Sequence, residues 1–179
     1  MTEASTPQPA LASDLSLEET INLLLADLGE PTVACAESCT GGNVAARLSR
    51  ISGSSAYFLG GIVSYSNSAK HDLLGVSDEI LESVGAVSPE CALAMAEGAR
   101  HAFDADIAVS TTGIAGPTGA TERKPVGLVY IALSLQGAHQ VEEQHFPGDR
   151  AAVTHAATER ALELLHDGIV QLISNTTSD

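Results

Sequence analysis

The chain has 179 residues, with eight Lys+Arg against 23 Asp+Glu and a formal net charge of -15. A nucleic-acid binder needs a basic face that displaces counterions from phosphates, so that class is excluded. Hydrophobic residues make up 44% and aromatics 3%, with no Trp, so one core must be filled by Ala, Val, Leu and Ile.

Residues 1–14 mix Thr, Ser, Pro and Gln without periodicity and are expected to form a flexible tail. Ser16-Leu17-Glu18-Glu19 fits a capping box and opens a helix that ends near Gly29. A first strand is predicted over about 32–36, then a Gly-containing turn and a helix to about Arg50, with Thr40 as its N-cap. Gly61 to Tyr65 reads as a second strand, with Tyr65 at its end. Ser66-Asn67 can cap a short helix through Lys70 and Leu74, and 77–84 reads as another. Ser88-Pro89-Glu90 starts a longer helix by the Pro-at-N1 rule.

Asp106 to Thr111 is a third strand and runs into a Gly-rich loop, Thr112 to Gly119. Val126 to Leu135 and Gln140 to Phe146 form an antiparallel pair around Gly137-Ala138. Gly148-Asp149-Arg150 opens a final helix to about Ile173, after which 174–179 are expected to be a flexible tail. The alternation predicts a three-layer α/β/α domain over 15–173 with a mixed, mostly parallel sheet of about five strands.

Cys35, Cys39 and Cys91 lack CxxC spacing, and the histidines show no HxxxH or HExxH pattern. Neither a disulfide framework nor a metal site is expected, and no cofactor is called for. The N-terminus lacks a signal-peptide pattern and no apolar run approaches membrane length, so the expectation is a cytoplasmic protein without a membrane partner. Apolar faces on Ala-rich helices suggest a homo-oligomer.

Three loops follow predicted strand ends: 37–42, 65–70 and 111–119. In a largely parallel sheet such loops gather at one edge and form the ligand crevice. Ser38, Cys39 and Thr40 occupy a turn that leads into a helix N-terminus, followed by Gly41 and Gly42, which let a ligand approach the backbone. Ser38 is a candidate nucleophile that needs a base, and Cys39 is its rival because a helix N-terminus lowers a thiol pKa. Tyr65 and Lys70 are the candidate bases. Lys70, at the positive end of a short helix, is placed where an ammonium is disfavoured. The loop of Thr112 and Gly113 can present N–H groups to an oxyanion or a phosphate, and Arg150 can grip a phosphate with a bidentate fork.

The segments Ala36-Glu37-Ser38-Cys39-Thr40-Gly41-Gly42, Val63-Ser64-Tyr65-Ser66-Asn67 with Lys70, and Leu74-Gly75-Val76 carry a resemblance to a known family. So do Gly85-Ala86-Val87-Ser88, Thr112 to Pro117, Lys124-Pro125-Val126-Gly127 and Gly148-Asp149-Arg150. Together they resemble the CinA C-terminal domain family, the nicotinamide-nucleotide amidases. The resemblance implies hydrolysis of the carboxamide of nicotinamide mononucleotide to nicotinic acid mononucleotide and ammonia, without metal or organic cofactor. It implies Ser38 as nucleophile with Tyr65 and Lys70 as activating partners. It further implies Thr40, Gly41, Gly42, Thr112 and Gly113 as substrate or oxyanion contacts, and Arg150 as a phosphate ligand. Many members carry further arginines one helical turn after Gly-Asp-Arg, where this chain has Thr154 and His155. Longer members place the domain behind a molybdopterin-binding-like domain, so the chain reads as the stand-alone form. The rival expectation is a non-catalytic, competence-associated module that binds a nucleotide, and a third is an amidase for another amide.

Overall fold

A computed structural model describes residues 15–29 and 31–176, so the predicted tail at 1–14 lies outside the described residues. The elements run α1 (Leu17–Asp27), β1 (Val33–Glu37), α2 (Asn43–Leu48), β2 (Phe58–Val63), α3 (Asn67–Leu74), α4 (Asp78–Ser83) and α5 (Pro89–Phe103). They continue with β3 (Ile107–Gly113), β4 (Leu128–Leu135), β5 (Ala138–His145) and α6 (Arg150–Thr176). The five strands form one sheet in the order β2-β1-β3-β4-β5. β1 is parallel to both β2 and β3, whereas β3–β4 and β4–β5 are antiparallel. This is the expected three-layer α/β/α domain with a mixed sheet.

β1 is central and buried along its whole length, as a strand covered on both faces must be. Its alternation splits the core in two. Val33 and Cys35 face a layer of α1, α2 and α6, where Ile21, Leu25, Leu48 and Leu162 pack. Ala34 and Ala36 face α5, joined there by Ala108, Met95 and Ala99. Alanine on both sides of that second interface lets helix and sheet approach closely. The same economy recurs between helices, where a Cβ on Gly98 of α5 would stand 2.0 Å from the Leu74 carbonyl oxygen of α3.

Several boundaries differ from the sequence reading. β2 starts at Phe58 and ends at Val63, so Tyr65 lies two residues beyond the strand rather than at its end. The glycine pair Gly60-Gly61 is a site of close approach. A Cβ on Gly60 would meet the Phe103 ring at 2.6 Å, and one on Gly61 would meet Cys35 Sγ at 2.6 Å. The N-cap of α3 is Ser66, whose hydroxyl accepts from the Ala69 amide, and Asn67 is the first helical residue. α6 continues to Thr176, so the tail predicted for 174–179 begins inside this helix, and its last three residues lie outside the described ones. The capping box at Ser16 and Glu19 and the Ser88 cap with Pro89 form as expected.

Candidate active site

The parallel register places Glu37 of β1 beside Val63 of β2 and Thr111 of β3. Just past that line, the Ser38 amide donates to Thr111 O at 2.9 Å and the Ser64 amide donates to Glu37 O at 2.9 Å. The three loops therefore leave the sheet at one edge, as the topology of a parallel sheet requires. A cavity of about 290 Å³ opens there, lined by Ser38, Tyr65, Lys70, Gly113 and Arg150 among others. Six of the predicted site residues (those five and Thr112) line it.

Lys70 is the chemical centre of this arrangement. It is only 1% exposed, and its Nζ lies 2.9 Å from Ser38 Oγ, 2.7 Å from Ser64 O and 3.5 Å from Tyr65 O. Among the described residues no carboxylate pairs with it. Burial pulls its pKa below the ordinary lysine range, the direction that favours the neutral amine. A neutral amine has two N–H groups and one lone pair. The two carbonyls can take the N–H groups, which turns the lone pair towards the Ser38 hydroxyl. This is the hydrogen-bonded geometry of a nucleophile beside its base.

Cys39 falls behind its neighbour. Its thiol is buried, and burial pushes its pKa up to about 12, which suppresses the thiolate. Burial outweighs the groups that pull the pKa down, and the N-terminus of α2 is already occupied. The Glu37 carboxylate, 1% exposed, accepts from the amides of Gly42 (2.9 Å), Val44 (3.1 Å) and Ala45 (2.8 Å) and from Thr40 Oγ1 (2.6 Å). A negative group at a helix N-terminus offsets both the orphan donors and the dipole.

Thr40 is consequently not the N-cap of α2. That position is Gly42, in the left-handed region at φ 103, and it has no side-chain cap. The Thr40 hydroxyl is buried between Glu37 and Thr111 Oγ1, 2.7 Å away, and faces the protein. Thr40, Gly41 and Gly42 are not among the residues that line the cavity. Thr112 presents little to it either, since its hydroxyl donates to Ala86 O at 2.6 Å and holds the opposite wall in place. Lys124 fastens the same wall by donating to Val84 O at 2.6 Å.

Tyr65 departs most from the expectation. Its side chain is 58% exposed, and Arg150 Nη2 donates to its hydroxyl at 2.5 Å; no hydrogen bond joins that hydroxyl to Ser38 or Lys70. Arg150 also donates from Nη1 to Gly116 O at 2.9 Å. It stands between the Ser38 cavity and a larger cleft of about 1160 Å³ that also contains Thr154 and His155. Sequence reasoning assigned no role to Glu37. The signal was present, because a carboxylate just before a Gly-Gly turn and a helix is placed to receive that helix's first amides.

No group of His, Cys, Asp and Glu among the described residues could hold a metal ion, and no helix is long and apolar enough to cross a membrane.

Comparison with known proteins follows the same lines. A family profile described as the CinA C-terminal domain matches residues 14–169. A putative competence-damage inducible protein of Moorella thermoacetica is 53% identical over 134 residues, covering 75% of this chain and 32% of that protein. A CinA-like protein of Citrifermentans bemidjiense is 51% identical over 83% of this chain and 36% of its own length. The chain thus spans about a third of the length of these curated relatives. Among solved structures, the competence/damage inducible protein CihA of Agrobacterium tumefaciens superposes with a TM-score of 0.79 at 42% identity, covering 83% of this chain and 93% of that one. A CinA superfamily protein of Klebsiella pneumoniae gives 0.82 at 33% identity, over 87% and 96%. The chain belongs to the CinA C-terminal domain family.

Proposed function

We propose that the chain is a serine amidase that hydrolyses the carboxamide of nicotinamide mononucleotide to nicotinic acid mononucleotide and ammonia. The observation that carries this reading is the buried Lys70 amine, 2.9 Å from Ser38 Oγ and without a carboxylate partner. Binding alone gives no reason to bury an amine against a hydroxyl, since the desolvation of Lys70 is unfavourable unless its basicity is used.

In acylation Ser38 Oγ attacks the amide carbon while its proton passes to Lys70 Nζ. The developing oxyanion needs nearby N–H donors. The amide of Cys39, which follows the nucleophile, lines the cavity and donates to no backbone carbonyl among the described residues, is the candidate. Collapse of the tetrahedral intermediate breaks the C–N bond, and the leaving nitrogen takes a proton from the Lys70 ammonium, directly or through the Tyr65 hydroxyl. Water then attacks the Ser38 ester, again giving its proton to Lys70, and the acid leaves as Ser38 regains its proton. Arg150, at the mouth of the cavity and without a carboxylate partner among the described residues, is the phosphate ligand in this scheme. Gly113 lines the same cavity. Thr40, Gly41, Gly42 and Thr112 act on the substrate only by shaping the loops.

A second reading has its own observation. The names of the Moorella and Agrobacterium relatives speak of competence and damage, and neither names a reaction. On that reading the pocket binds a nucleotide as part of a regulatory module. Purified protein incubated with nicotinamide mononucleotide separates the two: ammonia release supports the amidase, and saturable binding without ammonia supports the module. A panel of other carboxamides tests the substrate. Sedimentation velocity tests the homo-oligomer that accompanies either reading.

A further inference from the structure

The bond between Arg150 and Tyr65 spans the mouth of the cavity, from the start of α6 to the loop after β2. It joins two groups that the proposed reaction uses for different ends: Arg150 for the phosphate and Tyr65 for proton transfer at Ser38. Tyr65 cannot serve Ser38 while this bond stands, and a phosphate competes for the same Nη2 edge of the guanidinium. While Arg150 Nη2 donates to the Tyr65 hydroxyl, at 2.5 Å, that hydroxyl is held at the rim and bonded to neither Ser38 nor Lys70. The other anchored nitrogen of Arg150, Nη1, is committed to Gly116 O at 2.9 Å, which fixes the guanidinium in place. Tyr65 has no comparable anchor: it is 58% exposed and open to other staggered rotamers. A phosphate is a far stronger acceptor for a guanidinium than a neutral phenol is.

Resting on the amidase reading above, we propose that the Arg150–Tyr65 bond makes hydrolysis conditional on a phosphate: a phosphorylated amide takes Arg150, and only then does Tyr65 turn towards Ser38. The pair is thereby a specificity device that separates nucleotides from nucleosides at the level of kcat. A nucleoside amide can enter the cavity, but it leaves Tyr65 tied to Arg150. No atom of the substrate need touch Tyr65 in the bound ground state for this selection to work.

The test uses nicotinamide riboside, which lacks the phosphate, with inorganic phosphate supplied separately. Wild-type protein should release ammonia from the riboside slowly, and saturating phosphate should raise kcat about tenfold, equivalent to about 1.4 kcal/mol, the scale of one hydrogen bond to a charged group. Arg150→Met removes the tether without offering a new donor. It should split the riboside at the phosphate-activated rate whether or not phosphate is present, while its KM for the mononucleotide rises. The chain has three tyrosines and no Trp, so Tyr65 can also be followed by tyrosine emission. Phosphate should change the emission of wild-type protein saturably and leave that of Tyr65→Phe unchanged. If the mononucleotide is hydrolysed but phosphate fails to accelerate riboside turnover, the coupling is refuted. If the mononucleotide gives no ammonia, the amidase reading fails instead. The emission titration then decides the coupling alone: a response confined to chains with Tyr65 and Arg150 supports it, and an unresponsive wild type overturns it.

Discussion

Replacing Lys70 by Met keeps the length and most of the buried volume of the side chain and removes only the amine. Ser38 Oγ then has no base, since Lys70 Nζ is the only side-chain nitrogen or carboxylate hydrogen-bonded to it among the described residues. General-base catalysis contributes roughly 10²–10⁴-fold, so kcat/KM for mononucleotide deamidation should fall into that range, about 3–5 kcal/mol of transition-state stabilisation. The pH profile carries the sharper signature. Lys70 must be neutral to act, and burial holds its pKa below 10.5, so wild-type activity should fall on the acid side as pH drops through that depressed value. The variant's residual activity should lack this limb. Stability moves the same way. Between the depressed value and 10.5 the unfolded chain holds a proton that the native state has lost, so stability rises with pH across this window. Below the window both states are protonated and the full cost of burying the ammonium is present. Lys70→Met escapes that cost. Its stability relative to wild type should therefore be most favourable at low pH and decline as pH rises, offset throughout by the hydrogen bond lost from Ser64 O, roughly 1–3 kcal/mol. Ammonia release and urea denaturation across a pH series measure both. A variant within about threefold of wild-type kcat/KM, set against the range above, would refute the assignment of Lys70 as base.

Ser38→Ala should remove deamidation by at least about a thousandfold, whereas Cys39→Ala should retain it within severalfold, because a thiol raised to about 12 supplies no thiolate near neutrality. The reverse pattern in an ammonia assay would move the nucleophile to Cys39. Glu37→Gln replaces an acceptor of three amides and a hydroxyl by a group that must turn N–H donors towards some of them. A loss of about 3 kcal/mol is expected from chemical denaturation, with kcat reduced more than KM is raised as the Ser38 loop loosens. Gly98→Ala puts a methyl group 2.0 Å from the Leu74 carbonyl oxygen, a backbone atom that cannot rotate away. It should destabilise by about 2 kcal/mol or more, read as a lower thermal midpoint. An unchanged midpoint would mean that α3 shifts freely on α5.

Much of this was legible along the chain because the relevant signals are local. The capping box at Ser16, the Ser88-Pro89 start of α5 and the first strand near 32–36 depend on neighbouring residues, and the elements form where those residues say. Ser38, Lys70 and Arg150 could be singled out for the same reason, since each stands at the end or beginning of an element. What escaped depends on contacts between distant segments. No neighbouring residue shows that Phe103 and Cys35 occupy the space where Cβ atoms on Gly60 and Gly61 would lie. Tyr65 reads as a partner of Lys70, five residues away, until α6 delivers Arg150 from 85 positions further along the chain. Thr40 looks like a helix cap until Glu37 and Thr111 enclose its hydroxyl.

The role of Glu37 settles a competition between two helix termini at the same edge of the sheet. A nucleotide phosphate would ordinarily be drawn to an N-terminus next to the nucleophile loop, and α2 begins there. Its first amides are already bonded to a buried carboxylate, so a phosphate arriving at α2 would meet like charge and find those donors spent. At the start of α6 the Asp149 side chain accepts from only the Ala152 amide, at 2.9 Å, and Arg150 adds a positive charge with no carboxylate partner among the described residues. On the amidase reading, the phosphate is taken at α6 rather than beside Ser38. That separation lets the carboxamide, at the other end of the nucleotide, reach the nucleophile. In a chain with a net charge of -15, that reading asks only one buried carboxylate and one arginine without a carboxylate partner among the described residues to orient the substrate.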